Sequence, residues 1–229
     1  MTILLFFDVE TSGLIPNSKK PLDLKNLAQY PYILQLSYIL YDLEQHKVIE
    51  AYNNYICNTN IEVSIEITEL TGITRELLLE KGITIHDALR QFESAYLQCN
   101  FVIAHNFEFD SKMIRIEAER TRSKLIQTSY LILSTIRTPI NIFGLQITKE
   151  CTMQMTVNFC NIERINSLGV YKKLPRLSEL YQILFDTNLQ NFHNSMVDVL
   201  ACLRCYLKFK HQYTIEETEF QAMITECLS

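Results

Sequence analysis

Asp8 and Glu10 stand two positions apart at the end of an apolar run that starts near the N-terminus. Alternate residues of a strand point to one face, so both carboxylates project together. Two like charges at the edge of a buried sheet repel each other, and a hard divalent cation is their natural counter-charge. Read alone, such a pair more often marks two acids meeting solvent where a strand ends. Asp110 adds a third carboxylate. It closes Ala104–Asp110, a stretch that joins a short apolar run to a helical pattern, and an acid at such a junction can face a cleft at the sheet edge. It also fits an ordinary acid in the first turn of a helix. His105 and Asn106 beside it suit the polar needs of the turn.

Asp198 is the fourth acid, inside a periodic segment with Met196, Val199, Leu200, Leu203 and Leu207. Ala201, Cys202 and Cys205 follow it at spacings of three, four and seven, on its own helix face. Small residues there let the helix approach a sheet closely and bring Asp198 beside Asp8. The same stripe makes Cys202-x-x-Cys205 buried packing rather than half of a zinc site. His193 precedes this helix in the loop-like run Gln190–Asn194, where an imidazole can swing over a reacting water and act as general base. In isolation it reads as an exposed loop histidine.

The elements that must position these groups follow from pattern. Ile3–Asp8 is a buried strand ended by Thr11-Ser12-Gly13. Asn17–Tyr30, bracketed by prolines, is a loop. Tyr32–Tyr41 and Val48–Cys57 are strands, with Asp42–Lys47 closing a hairpin between them. Signals from Ile61 to Lys81 are mixed. Thr84 caps a helix with Asp87 at the capping-box position, and Ile85, Leu89, Phe92 and Tyr96 follow at helical spacing. Phe101–Ala104 is a short strand, and a helix begins near Phe107. Further helices are expected over Thr152–Phe159, Leu177–Phe185 and Asn194–Tyr213, and a helical tail over residues 214–228. Thr121–Glu150 carries the weakest pattern. The sum is an α/β chain, a mixed central β-sheet flanked by α-helices.

Bulk properties narrow the class. The 229 residues suffice for a single domain, and 48% hydrophobic content argues against disorder. Seven cysteines without framework spacing argue against a disulfide scaffold and for an intracellular, reducing setting. Met1–Phe7 lacks a basic leader, and no apolar run is long enough to span a bilayer. The net charge of −5 is unlike that of a pure nucleic-acid binder. It suits an enzyme whose clustered carboxylates hold cations, since bound ions reverse the local field.

Three stretches in order resemble the DEDDh exonucleases, the proofreading-subunit family with an RNase H-like fold. Asp8-Val9-Glu10-Thr11-Ser12-Gly13-Leu14 is similar to the first motif, His105-Asn106-Phe107-Glu108-Phe109-Asp110 to the second, and His193–Ala201 to the third, with Ser195 where the family often has alanine. Leu70-Thr71-Gly72-Ile73-Thr74 resembles the substrate-loop segment, with Thr71 where proofreading relatives often carry histidine. Cys151–Met153 and Leu177–Tyr181 resemble later helices, so the likeness covers about residues 3–210 of a single exonuclease domain.

The resemblance implies 3′-to-5′ hydrolysis of DNA to nucleoside 5′-monophosphates with two Mg²⁺ ions, Mn²⁺ substituting. Asp8, Glu10, Asp110 and Asp198 then hold the ions, and His193 is the base. Thr11, Leu14, Leu70, Thr71 and Phe109 border the terminal nucleotide. Arg115, Arg120, Arg122 and Lys124, or Lys172, Lys173 and Arg176, are positioned to track phosphates, although such runs also make ordinary solvated faces. The implied partners are a nucleic-acid 3′ end and a polymerase or replication protein, with no membrane. Two other classes fit the same motifs: a 3′ exoribonuclease, and a non-catalytic module acting through a polymerase, which the complete carboxylate set disfavours.

Overall fold

The computed structural model describes residues 1–16, 20–59, 61–122, 139–167, 169–189 and 193–228. Its centre is a five-stranded sheet formed by β1 (Ile3–Thr11), β2 (Ile33–Asp42), β3 (Lys47–Tyr55), β4 (Phe101–Ala104) and β5 (Thr148–Cys151), in the order β3-β2-β1-β4-β5. β1 is antiparallel to β2 and parallel to β4, which is parallel to β5. The carboxyl ends of β1, β4 and β5 therefore share one edge of the sheet, and the start of β2 meets them there. Asp42 holds the expected hairpin, accepting from the N–H groups of Glu44 and Gln45 at 2.9 and 3.0 Å.

Alternation along β1 sends its side chains into two cores. Leu5, Phe7 and Val9 pack under α3 (Ile85–Tyr96) and α4 (Phe107–Arg120). Leu4 and Phe6 pack under α7 (Leu177–Phe185), α8 (Ser195–His211) and α9 (Glu217–Leu228). Asp8 and Glu10 share the parity of Leu4 and Phe6, so they project toward α8. Ala201, Cys202 and Cys205 are buried in that interface, as their small size predicts.

Two short helices, α1 (Ile65–Thr71) and α2 (Arg75–Lys81), occupy the stretch with mixed signals. Ser64 and Thr74 cap them, and left-handed Gly72 (φ 73°) ends the first. Thr84 accepts from Asp87 N–H at 3.1 Å, as the capping pattern predicts. The expected helix over Thr152–Phe159 is two single turns, α5 (Thr152–Met155) and α6 (Val157–Cys160), broken at Thr156. β1 runs through Asp8 and Glu10 to Thr11, slightly beyond the expected end, with an irregularity in pairing between Glu10 and Thr11.

β5 and an exposed ribbon of β6 (Glu163–Asn166) and β7 (Gly169–Lys172) fall where no strand was expected. The tail is a helix that covers core. Phe220 is fully buried, and buried Arg204 joins α8 to it through Ile215 O (3.0 Å) and Glu217 (2.6 Å). Among the described residues, no helix is long and apolar enough to cross a membrane.

Candidate active site

The site forms where the carboxyl ends of β1 and β4 meet the first turns of α4 and α8. β1 delivers Asp8 and Glu10. β4 ends at Ala104, and Asn106 turns the chain with a left-handed conformation (φ 69°, ψ 44°) that asparagine tolerates better than most residues. α4 then begins, and Asp110 in its first turn is buried at 3% exposure. Asp198 lies in the first turn of α8, facing the sheet above the Ala201/Cys202 stripe. One ligand atom from each of Glu10, His193 and Asp198 lies within 4.8 Å of the others. All four acids and His193, separate in sequence, thus converge at one edge.

The electrostatics are those of an over-charged pocket. Burial raises the Asp8 carboxyl to about 7. Burial, then repulsion from Asp8 and Asp198, raises Glu10 to about 9. Asp110 and Asp198 are pushed well above the carboxylate range, first by burial and next by Asp8. Asp110 Oδ2 and Asp198 Oδ1 are buried and have no hydrogen-bond partner among the described residues. Buried polar atoms are normally satisfied. Two orphaned oxygens in an all-carboxylate cluster are the donor set that hard divalent cations take. The chemistry of these residues therefore fits a metal centre.

The two histidines divide. His193 is exposed, in a left-handed turn (φ 73°), with its N–H donating to Asp198 Oδ2 at 3.3 Å. His105 is engaged at both ring nitrogens, Nε2 to the Pro175 carbonyl at 3.0 Å and Nδ1 to Thr152 Oγ1 at 2.9 Å. A carbonyl only accepts, so Nε2 carries the proton and Nδ1 accepts from Thr152. Burial holds this imidazole down to about 4, hence neutral. It tethers α5 and the approach to α7 to the end of β4.

The residues expected to border a substrate differ in exposure and in what engages them. Leu14 is 84% exposed, beyond a turn tied to β2 by Ser12 N–H to Tyr32 O and Tyr32 N–H to Ser12 Oγ, both 2.9 Å. Thr11 Oγ1 donates to Gly13 O at 2.7 Å, which shapes the turn. Leu70 is half-exposed at the end of α1. Thr71 Oγ1 donates to Ile67 O (2.8 Å) and accepts from Ile73 N–H (3.1 Å), a local helix-ending role. Phe109 packs against the α3/α4 core with part of its ring open.

Several cations expected near phosphates have structural duties instead. Arg120 donates to the carbonyls of Leu27, Tyr30 and Pro31 and to Glu117, and lies 3.8 Å over the Tyr32 ring. It staples α4 to the loop before β2, and no phosphate role is left for it. Arg122 pairs with Glu119 at 3.2 Å, Lys172 reaches Asn158 at 3.2 Å, and Lys173 pairs with Glu179. Arg115 borders a cavity of about 190 Å³ under α4, Arg176 is exposed at the start of α7, and Lys124 lies outside the described residues.

Sequence reasoning missed a buried polar row beside the acids. Ser37 pairs in register with Asp8 and Asn53, and Gln35 with Glu10. The cue was present, since Gln35 and Ser37 interrupt the apolar strand Ile33–Tyr41 on one face.

Comparisons with known proteins bear on the family and the fold. No curated protein sequence matches the chain. E. coli exonuclease I in complex with a dT13 oligonucleotide has a similar fold, at a TM-score of 0.64 and 18% identity over 93% of this chain and 42% of that one. A second exonuclease I structure, described as suggesting how processivity is achieved, gives 0.64 and 18% over 99% and 44%. The zinc-bound E. coli exonuclease I–ssDNA complex gives 0.61 and 18% over 98% and 43%. The chain spans less than half the length of these proteins, and at such identities the likeness is one of fold, the RNase H-like fold. The RNase T exonuclease family model matches residues 5–206, from β1 to α8 and across every acid of the cluster, so the chain belongs to that family of nucleases.

Proposed function

We propose that the protein is a 3′-to-5′ exonuclease that removes nucleoside 5′-monophosphates from single-stranded DNA. The observation that carries this reading is the convergence of four acids at one sheet edge, with two buried carboxylate oxygens left without partners. Mg²⁺ or Mn²⁺, when bound there, supplies the positive charge that acidifies an attacking water and stabilises the leaving 3′ oxygen. Asp8, central to the mutual repulsion, and Glu10, Asp110 and Asp198 provide the oxygen donors. His193 stands beside Glu10 and Asp198 with its side chain open to solvent, so it takes the water's proton and releases it to bulk. Leu14, exposed beyond the β1 turn, wedges against the terminal base, while Thr11, Leu70, Thr71 and Phe109 flank it. Single-stranded DNA is favoured because structures of the same fold hold DNA oligonucleotides.

The test is a degradation assay on matched DNA and RNA oligonucleotides labelled at the 3′ terminal nucleotide, with Mg²⁺ or with chelator. Release of labelled mononucleotide from DNA, dependent on the ion, is the expected result. Faster release from RNA moves the assignment to an exoribonuclease. Internal cuts, or unchanged activity in chelator, overturn it.

A further inference from the structure

Ser195, Ser37 and Gln35 join the start of the helix that carries Asp198 to the sheet. Ser195, the first residue of α8, is fully buried, as is Ser37, and Gln35 is 1% exposed. Ser37 Oγ donates to Asn53 Oδ1 at 2.9 Å, and Gln35 Nε2 donates to the same oxygen at 2.8 Å. With its proton spent there, Ser37 can only accept across its 2.6 Å contact with Ser195 Oγ, so Ser195 is the donor. Gln35 Oε1 in turn accepts from the Ser195 backbone N–H at 3.4 Å. The four residues form a closed ring with one consistent assignment of protons, running from edge strand β3 through β2 to the helix that carries Asp198.

His193 needs such an anchor. A non-glycine residue at φ 73° occupies a sparsely populated conformation and persists only when its surroundings over-determine it. Asn194 Oδ1 accepts from Met196 N–H at 3.1 Å, Asn194 O accepts from Asp198 N–H at 3.0 Å, and His193 N–H donates to Asp198 Oδ2 at 3.3 Å, so hydrogen bonds tie the turn into the helix. The ring at Ser195 ties that turn to the strand row beside Asp8 and Glu10. Farther along the same sheet face, Ile39 and Tyr41 fill the interface with apolar packing. The polar row occurs at the site's end, where directional bonds fix a position that apolar contact leaves free to slide.

We propose that Gln35, Ser37, Asn53 and Ser195 are positioning residues that set where His193 stands over the carboxylates. The inference rests on the proposed role of His193 as base. None of the four touches reacting atoms in this scheme; they act through the His193–Asp198 turn.

The experiment measures kcat, KM, metal activation and thermal midpoint for Asn53→Ala and Ser195→Ala, each alone and combined with His193→Ala. Asn53→Ala, which removes the acceptor of two bonds, should lower kcat about ten-fold with KM little changed, since small misplacements of a reacting group cost rate steeply. Ser195→Ala, a mild change at a helix start, should cost about three-fold and serves if Asn53→Ala folds poorly. In the His193→Ala background both losses should vanish, because no base remains to be placed. An equal loss in both backgrounds, or a fallen thermal midpoint with unchanged kcat, makes the ring merely structural and overturns the proposal. Full activity of His193→Ala alone is a different failure: it removes the base, and with it both readings.

Discussion

His105-Asn106-x-x-x-Asp110 and His193-Asn194-x-x-x-Asp198 are the same pattern twice, each at the start of a helix and each ending on an acid of the cluster. Their histidines nonetheless have opposite fates. In the first, the left-handed residue is Asn106, so His105 still belongs to the strand end and its ring goes inward to Thr152 and Pro175. In the second, the left-handed residue is His193 itself, while Asn194 is extended (φ −112°, ψ 118°) and caps the helix with its side chain. A one-residue shift of the backbone kink separates a histidine that packs from one free to exchange protons. Spacing to an acid does not set how a histidine is held; the place of the kink does.

The largest effect should come from what the two junctions share. Asp110→Asn, Asp198→Asn or Asp8→Asn each removes a charge from a site built for cations, and turnover should fall about a thousand-fold or more. Metal-free stability should hold or rise, since repulsion is relieved. Full turnover by the Asp110 or the Asp198 variant in Mg²⁺ would break the equivalence of the two junctions, and full turnover by Asp8→Asn would remove the metal site itself.

What they do not share should appear next. His193→Ala should lose about a hundred- to ten-thousand-fold in rate and alter the acid limb of the pH–rate profile, with urea midpoint unchanged. His105→Ala should do the reverse. It strands Thr152 and the Pro175 carbonyl and leaves a void, at a cost of about 2–3 kcal/mol in urea unfolding, while the rate below the unfolding transition stays within a few-fold. If the two variants exchange phenotypes, the kink argument is wrong.

A smaller effect concerns pH. Asp8 near 7 and Glu10 near 9 stay protonated in the folded, metal-free chain where the unfolded chain has already ionised them. The folded state therefore binds more protons, and its stability must fall as pH rises. That contribution is intact below about pH 4 and is lost progressively up to about pH 9. Thermal midpoints in chelator should decline across this window, and Mg²⁺ should remove the decline by rewarding the ionised acids. A midpoint in chelator that climbs with pH would contradict the crowding of the cluster.

The smallest effect is at Leu14. With 84% of its surface exposed it has no core to lose, so Leu14→Ala should leave stability untouched. KM on single-stranded 3′ ends should rise a few-fold, alike for all four terminal bases. A loss of about 2 kcal/mol in unfolding would assign the side chain to packing instead.

Much of this was legible in the sequence because periodicity reports burial. Ile3–Asp8, Tyr32–Tyr41 and the helix after Asn194 announce themselves by what they must hide, and the Ala201/Cys202/Cys205 stripe foretells how closely α8 approaches the sheet. The ribbon of β6 and β7 is exposed on both faces, so nothing imprints an alternation on it. β5 (Thr148-Lys149-Glu150-Cys151) is as polar as a loop and is a strand only because Phe101–Ala104 pairs with it. Long-range partners were the other blind spot. The duty of Arg120 depends on carbonyls some ninety residues away, and the Ser37–Ser195 bond spans 158 positions. Neither separation leaves a local mark.

The architecture also fixes when the protein can become active during its own synthesis. Asp198 is translated long after Asp8, and only after all five strands of the central sheet and the helices α3 and α4. Chains emerge and fold from the N-terminus onward. A nascent chain can pair β1 with β2 and β4 and bury α3 and α4, yet it still lacks Asp198 and His193. In the proposed scheme such a chain holds only part of the carboxylate cluster, and activity against nucleic acid begins once α8 has left the exit tunnel and docked.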